Sequence, residues 1–442
     1  MASSRYVPVA VGAGVLALAA AFAACGGEKK PEKKPDAKAP VAEVKPPEPV
    51  QEPLVGGPFP SLLLAQAQFY KDAKGKSKPG PALLTIWRLT GEGWKSSKVE
   101  DKDSNVFHKA LPYQGGVLTI GAEGAFLKRW TFRDGAWTQD VLWNPKWEGK
   151  FNRIRDLEIG DVNGDGNDDL VMATHDQGVV AVGAIKDGKL EVTELDKTPD
   201  TFVHEIEIGD VDGDGKKEFF ATPSGRNQSS GKSQPGKVVM YRWDGTTYQR
   251  TVVDDLAQSH AKEILAVDLD GKGVSTLFSV IEAETQIEGG QARVVKPVEI
   301  RRYVLDKKAG TWTHTVAATL DDKQCRFLVP GDYDGDGDVD LIAAAMKSGI
   351  WFLTREADKK DKSPGAGTWT ATNIERSSSG FEHAAYAADL DGNGLPELFV
   401  ASDEQKQLRV YSWNTEAKGF ERSVIGPIVN DSITWNVTTA NL

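Results

Sequence analysis

The stretch Asp332-Tyr333-Asp334-Gly335-Asp336-Gly337-Asp338-Val339-Asp340 sets carboxylates at positions one, three, five and nine of a nine-residue frame. Glycines at positions four and six allow the turn that brings those side chains to one point. Oxygen ligands at that density match calcium, a hard cation that takes six to eight oxygens at roughly 2.3–2.6 Å. The backbone carbonyl of position seven, Asp338, adds a further ligand. The frame recurs three more times, with position seven again offering its carbonyl. The first copy has Asp161, Asn163, Asp165, Asn167 and Asp169. The next has Asp210, Asp212, Asp214, Lys216 and Glu218, and the last Asp389, Asp391, Asn393, Leu395 and Glu397. A fifth copy, Asp268 to Thr276, keeps the glycines but carries Lys272 and Thr276 at positions five and nine. That copy is expected to be metal-free, with the Lys272 ammonium in place of an ion. About four calcium sites follow.

Much of the net charge of −11 lies in these loops, and four calcium ions, +8 in all, would bring it to −3. The acidity argues against a nucleic-acid partner and says little about other partners. Residues 1–24 read as an export signal, with Arg5 followed by an Ala/Gly-rich apolar run too short to span a membrane. Ala21-Phe22-Ala23-Ala24-Cys25 resembles a bacterial lipobox, which makes Cys25 the expected lipidation site and places the chain on the cell envelope, anchored by lipid to the outer membrane. Phe22 stands where an aliphatic residue is usual, so cleavage by an ordinary signal peptidase remains open. Residues 25–53, rich in Pro, Lys and Glu, cannot bury a core and form an extended tether. With Cys25 lipidated, Cys325 has no disulfide partner and is expected to be a buried thiol.

The elements that must hold the loops are strands. From residue 54 to 442 short β-type runs alternate with Gly, Asp and Pro, without a helical period. A second signal recurs beside the loops: a turn followed by Trp94, Trp137, Leu190, Tyr248, Trp312, Trp369 or Phe420. Seven such hairpins outnumber the five loops, so seven units are expected. Each reads strand, Asp loop, strand, connection, strand, hairpin, strand, which over about 50 residues is a propeller blade. The C-terminal run Ser432–Leu442 matches a first strand, and the run after Gly57 matches the strand that follows a loop. One blade therefore takes strands from both ends of the chain, which closes the ring and removes the open edges.

The Asp-x-Asp-Gly-Asp-Gly-x-x-Asp loop between strands resembles the FG-GAP/VCBS repeat of integrin α-subunits and bacterial surface proteins. The likeness is specific at 161–169, 210–218, 332–340 and 389–397, partial at 268–276, and extends over roughly residues 54–442. It implies an all-β, seven-bladed propeller of four-stranded antiparallel blades with calcium in four of them. An EF-hand, the rival reading of the loops, needs flanking helices and a glutamate at position twelve.

In such a fold the first strand of each blade lines the channel. Six residues before each loop stand Arg155, His204, Lys262, Arg326 and His383, with His108 and Trp435 as counterparts in the two blades lacking a loop. A ring of basic groups at one channel mouth is expected, shared with the connections 71–80, 223–237 and 283–296. It would suit a protein or an anionic glycan ligand; the alternative is that these side chains only bond blade to blade. The aromatics of the hairpins are read as interblade packing. No nucleophile elbow, zinc-protease motif, phosphate loop or thiol nucleophile is present. The function expected is a calcium-stabilised binding or adhesion module of the cell envelope. The alternatives are a lyase-like enzyme using His204 or His383 as base on an acidic glycan, and a structural envelope component.

Overall fold

The computed structural model describes residues 60–148, 152–429 and 431–442; the export signal, Cys25 and the tether lie outside them. The chain forms seven four-stranded antiparallel sheets and one extra two-stranded ribbon. The second to seventh blades begin with strands Phe107–Tyr113, Ile154–Gly160, Thr201–Gly209, Ala261–Val267, Cys325–Gly331 and Ala385–Ala388. The first blade is the clasp: Ser432–Asn441 pairs with Pro60–Lys71, Ser61 opposite Ala440, and the sheet continues through Ser77–Thr90 and Gly93–Asp101. No open edge is left at the point of closure.

Burial explains why each blade has this texture. Five of the seven second strands, among them Asp169–Thr174, Asp340–Ala345 and Glu397–Ser402, are buried at every residue, because both faces of a blade's middle pack against neighbouring blades. The core is divided accordingly. Seven apolar clusters sit one at each blade interface, from Leu63, Ile86 and Phe107 between the first two blades to Leu62, Trp87 and Phe399 between the last and the first. The hairpin aromatics lie on these clusters. Trp94 meets Phe399 edge to face at 6.1 Å, Trp369 meets Phe278 at 5.5 Å and Phe420 meets Phe352 at 5.2 Å, each across an interface. Polar latches add to them: Tyr303 donates to Asp254 of the preceding blade at 2.9 Å, and Tyr241 donates likewise to Asp196. Cys325 is buried and free.

Two connections depart from expectation. Residues 71–80 are not a loop, since the two strands pair out to Lys71 and Ser77 around a turn held by Asp72. Residues 283–296 form the extra ribbon, Glu284–Glu288 against Gln291–Lys296. In the second blade Gln114 and Gly115, at φ 46° and 73°, make the tight hairpin that replaces a metal loop.

Candidate functional site: two ends of the innermost strands

The Asp loops join the first to the second strand of a blade, at one face of the ring. In each intact loop the position-one aspartate accepts from the backbone of the loop's own glycines: Asp332 Oδ1 from Gly335 N at 2.9 Å and Oδ2 from Gly337 N at 3.1 Å. Both glycines have positive φ, 74° and 91°, which a side chain would strain. The fold thus holds the carboxylates together against their repulsion. Ligand oxygens of Asp210, Asp212 and Glu218 lie within 4.8 Å of one another, as do those of Asp332, Asp334 and Asp336, and those of Asp389, Asp391 and Glu397.

These groups fit a hard divalent cation, and the position-nine carboxylates are the sharpest sign of it. Asp340 is buried, its Oδ2 has no hydrogen-bond partner, and burial with four neighbouring aspartates lifts it to about 8. Burial likewise raises Asp169 to about 6 and Glu218 to about 7, and pushes Glu397 upward. In the 161–169 loop the amides of Asn163 and Asn167 turn their NH2 groups to Asp169 and Asp165, at 3.4 and 3.1 Å, so that half a turn of each amide would offer its oxygen instead. Asn167, Lys216, Asp338 and Leu395 lie at position seven, where the metal reading uses their backbone carbonyls.

The fifth loop does not fit a metal. Lys272 is 3.7 Å from Asp270, and the closer cation is one the sequence did not single out, Arg355 of the next blade, at 2.7 Å from Asp270 Oδ1. A guanidinium, rather than the expected ammonium, is the main counter-charge there.

At the opposite end of the same strands the predicted ring is found, but it is neither purely basic nor open. Arg155, His204, Lys262, Arg326 and His383 are all buried, and each has partners. Arg326 pairs with Glu382, which lies 3.6 Å from Arg155, and Arg155 reaches Glu205 at 3.4 Å. The Arg155 guanidinium lies over Trp435 at 5.2 Å and that of Arg326 over Phe381 at 4.5 Å. His383 is saturated, with Nδ1 at 2.6 Å from the Ala345 carbonyl and Nε2 at 2.7 Å from Ser378 Oγ; burial lowers it to about 4. His204 lies against Ser224 Oγ at 3.0 Å and Lys262 Nζ at 2.9 Å. Burial holds His108, His175, His204 and His260 well below the usual histidine range and lowers Lys262 to about 7. The 223–237 connection does share this mouth: Arg226 pairs with Asp176 at 2.8 Å, and Asn227 accepts from Lys262 at 3.2 Å.

A second tier lies one and three residues further along the strands, which the basic pattern did not reveal. Lys109 is paired with Asp156 at 2.9 Å and with Glu158, while Glu205, Glu207 and Glu263 stand around them. Burial and mutual repulsion raise these three glutamates well above the carboxylate range.

Residues 161–221 and 332–400 match the FG-GAP-like repeat family. The chain is therefore a seven-bladed β-propeller carrying FG-GAP-like repeats. No curated protein matches the sequence significantly. Solved structures share the fold at low identity. A protein from Lactobacillus plantarum has 10% identity and a TM-score of 0.56, over 86% of this chain and 99% of that one. A cobalt-substituted apocarotenoid oxygenase from Synechocystis has 12% identity and a TM-score of 0.52, over 87% and 93%. A putative 6-phosphogluconolactonase from Bacteroides uniformis has 12% identity and a TM-score of 0.50, over 87% and 100%. Chemistries so different on one scaffold show the fold alone.

Proposed function

We propose that this protein is a calcium-stabilised binding propeller of the bacterial cell envelope, held at the membrane by lipid on Cys25, with its ligand site at the mouth formed by the connections between second and third strands. One observation carries the site: a continuous run of buried polar groups there leaves hydrogen-bonding capacity unused. His175 and His204 rings are 5.2 Å apart, His204 and His260 5.6 Å, and His260 Nε2 is 3.5 Å from Glu282, which faces Arg326 at 3.6 Å. Along that run His175 Nδ1, His260 Nδ1, Glu282 Oε1 and Arg326 Nε lack hydrogen-bond partners. Unmet buried groups are costly unless something meets them. A protein side chain or an anionic glycan with paired acceptors and donors would do so. Titrating the exported chain with uronate oligosaccharides and envelope extracts in calcium buffer tests this. Binding that His260→Ala removes is expected, and binding that survives His260→Ala would place the ligand elsewhere.

One observation favours a second reading, an enzyme acting on acidic glycans. Lys262, lowered to about 7 by burial, would be half neutral near neutral pH and able to take a proton. It replaces His383 in that role, both of whose ring nitrogens are engaged. The appearance of unsaturated uronate products, lost in Lys262→Met, would decide for it.

A further inference from the structure

We propose that Arg242, a residue of the chain itself, competes with calcium for the 210–218 loop, making this the weakest of the four metal loops and, among the described residues, the one whose ligand carboxylates are bridged by a side chain of the protein. The proposal rests on the calcium reading above. Arg242 lies on the third strand of the same blade, Gly236–Trp243, one residue beyond Tyr241, which pairs with Phe219. Its Nε donates to Glu218 Oε1 at 2.9 Å, and its Nη2 is paired with Asp212 Oδ2. Positions nine and three of the loop, both ligands in the metal reading, are therefore bridged by one guanidinium, a shape suited to two carboxylate oxygens at once.

The other three loops have no such group. The same pairing register, Leu170 with Gly183, Leu341 with Leu353 and Leu398 with Tyr411, puts Ala184, Thr354 and Ser412 at the position of Arg242. None of them carries a charge. The fifth loop shows the next stage. There Arg355 reaches the position-three carboxylate from the neighbouring blade, and Lys272 and Thr276 have taken the places of two ligands. The five loops thus form a series: calcium without a competing guanidinium in three, calcium against arginine at 210–218, arginine in place of calcium at 268–276. One guanidinium does not neutralise the four carboxylates of Asp210, Asp212, Asp214 and Glu218. The loop keeps a demand for calcium, but an entering ion must first draw two oxygens away from Arg242.

Calcium titration calorimetry on the chain, its Arg242→Gln variant and its Asp214→Asn variant tests this, with melting curves in chelator. Expected are three tighter binding events and one weaker, with the weaker abolished by Asp214→Asn. In Arg242→Gln that event tightens by about tenfold or more, while the chelated protein melts at a lower temperature because the loop has lost the cation that bridges two of its carboxylates. Unchanged or weakened calcium binding in Arg242→Gln would overturn the proposal and make the arginine a buttress for the ligands. No calcium bound by any of the three chains would instead overturn the calcium reading itself.

Discussion

The strand Cys325–Gly331 carries Arg326 at one end and runs into Asp332 at the other, and charge is handled differently at the two. From Asp332 on, the carboxylates of Asp332, Asp334, Asp336 and Asp340 converge and no basic side chain is paired with any of them among the described residues; Asp340 is buried with an unused oxygen. At Arg326, Glu382 and Glu282 neutralise the guanidinium, and Phe381 covers it. Under the calcium reading proposed above, the loop end takes its counter-charge from solution, while the mouth end neutralises itself. The loop is a local structure, copied blade by blade with its ligands in fixed spacing. The mouth is assembled from different blades and differs in each, so a ligand there would be read by one sector of the ring rather than by seven equivalent units.

The largest effect should separate the two ends. Removing calcium with a chelator is expected to lower the melting temperature strongly, because a site at a hundred times its dissociation constant contributes about 2.7 kcal/mol and several act together. Asp336→Ala should remove one such contribution in calcium and change little in chelator. An equal loss in both would mean that the 332–340 loop is only a turn.

The converse should hold at the mouth. Glu382→Ala leaves Arg326 and Arg155 buried with one partner fewer, and breaking a buried pair in this way costs about 3–5 kcal/mol. The loss should be the same with and without calcium. A calcium-dependent loss would show that the two ends are coupled through the strand.

Acid sharpens the comparison further. His383 is neutral in the folded chain down to about pH 4, whereas the unfolded chain protonates it near 6.5. Its contribution is therefore fully present above pH 6.5 and lost as pH falls through the window to about 4, some ~3 kcal/mol in all. Denaturant melts in chelator at pH 7 and pH 4, compared with those of His383→Gln, should show a shallower acid loss in the variant. Identical slopes would assign the acid sensitivity to other buried histidines.

The parts legible in the sequence were those that a short segment determines. Asp332 to Asp340 meet because glycines at fixed places turn the backbone, and Trp94 or Trp369 packs where its hairpin puts it. The clasp could be read from what Ser432–Leu442 lacks as a unit. The mouth was only half legible. Its basic residues share a register, but Glu382, Glu282 and Glu205 gain their meaning from partners in other blades, and no spacing announces an ion pair between Arg326 and Glu382, 56 residues apart. Arg242 and Arg355 were invisible for the same reason, since each acts across strands on a loop far from it in sequence.

The smallest effect examines the loop that has crossed from one strategy to the other. Arg355 has a buried side chain, and Asp270, its partner at 2.7 Å, is about one quarter exposed, so solvent screens part of their attraction. Arg355→Gln should cost about 1 kcal/mol, less than the loss of Glu382 and far less than chelation. Its signature is insensitivity to calcium, since Lys272 and Thr276 leave too few oxygens for an ion to replace the guanidinium. Restoring ligands with Lys272→Asp and Thr276→Asp in the Arg355→Gln background should make the melting temperature rise with calcium. If it does so, the fifth loop differs from the other four only in side chains. If the rebuilt loop still ignores calcium, its backbone has also diverged, and the arginine is holding a turn that a metal could no longer occupy.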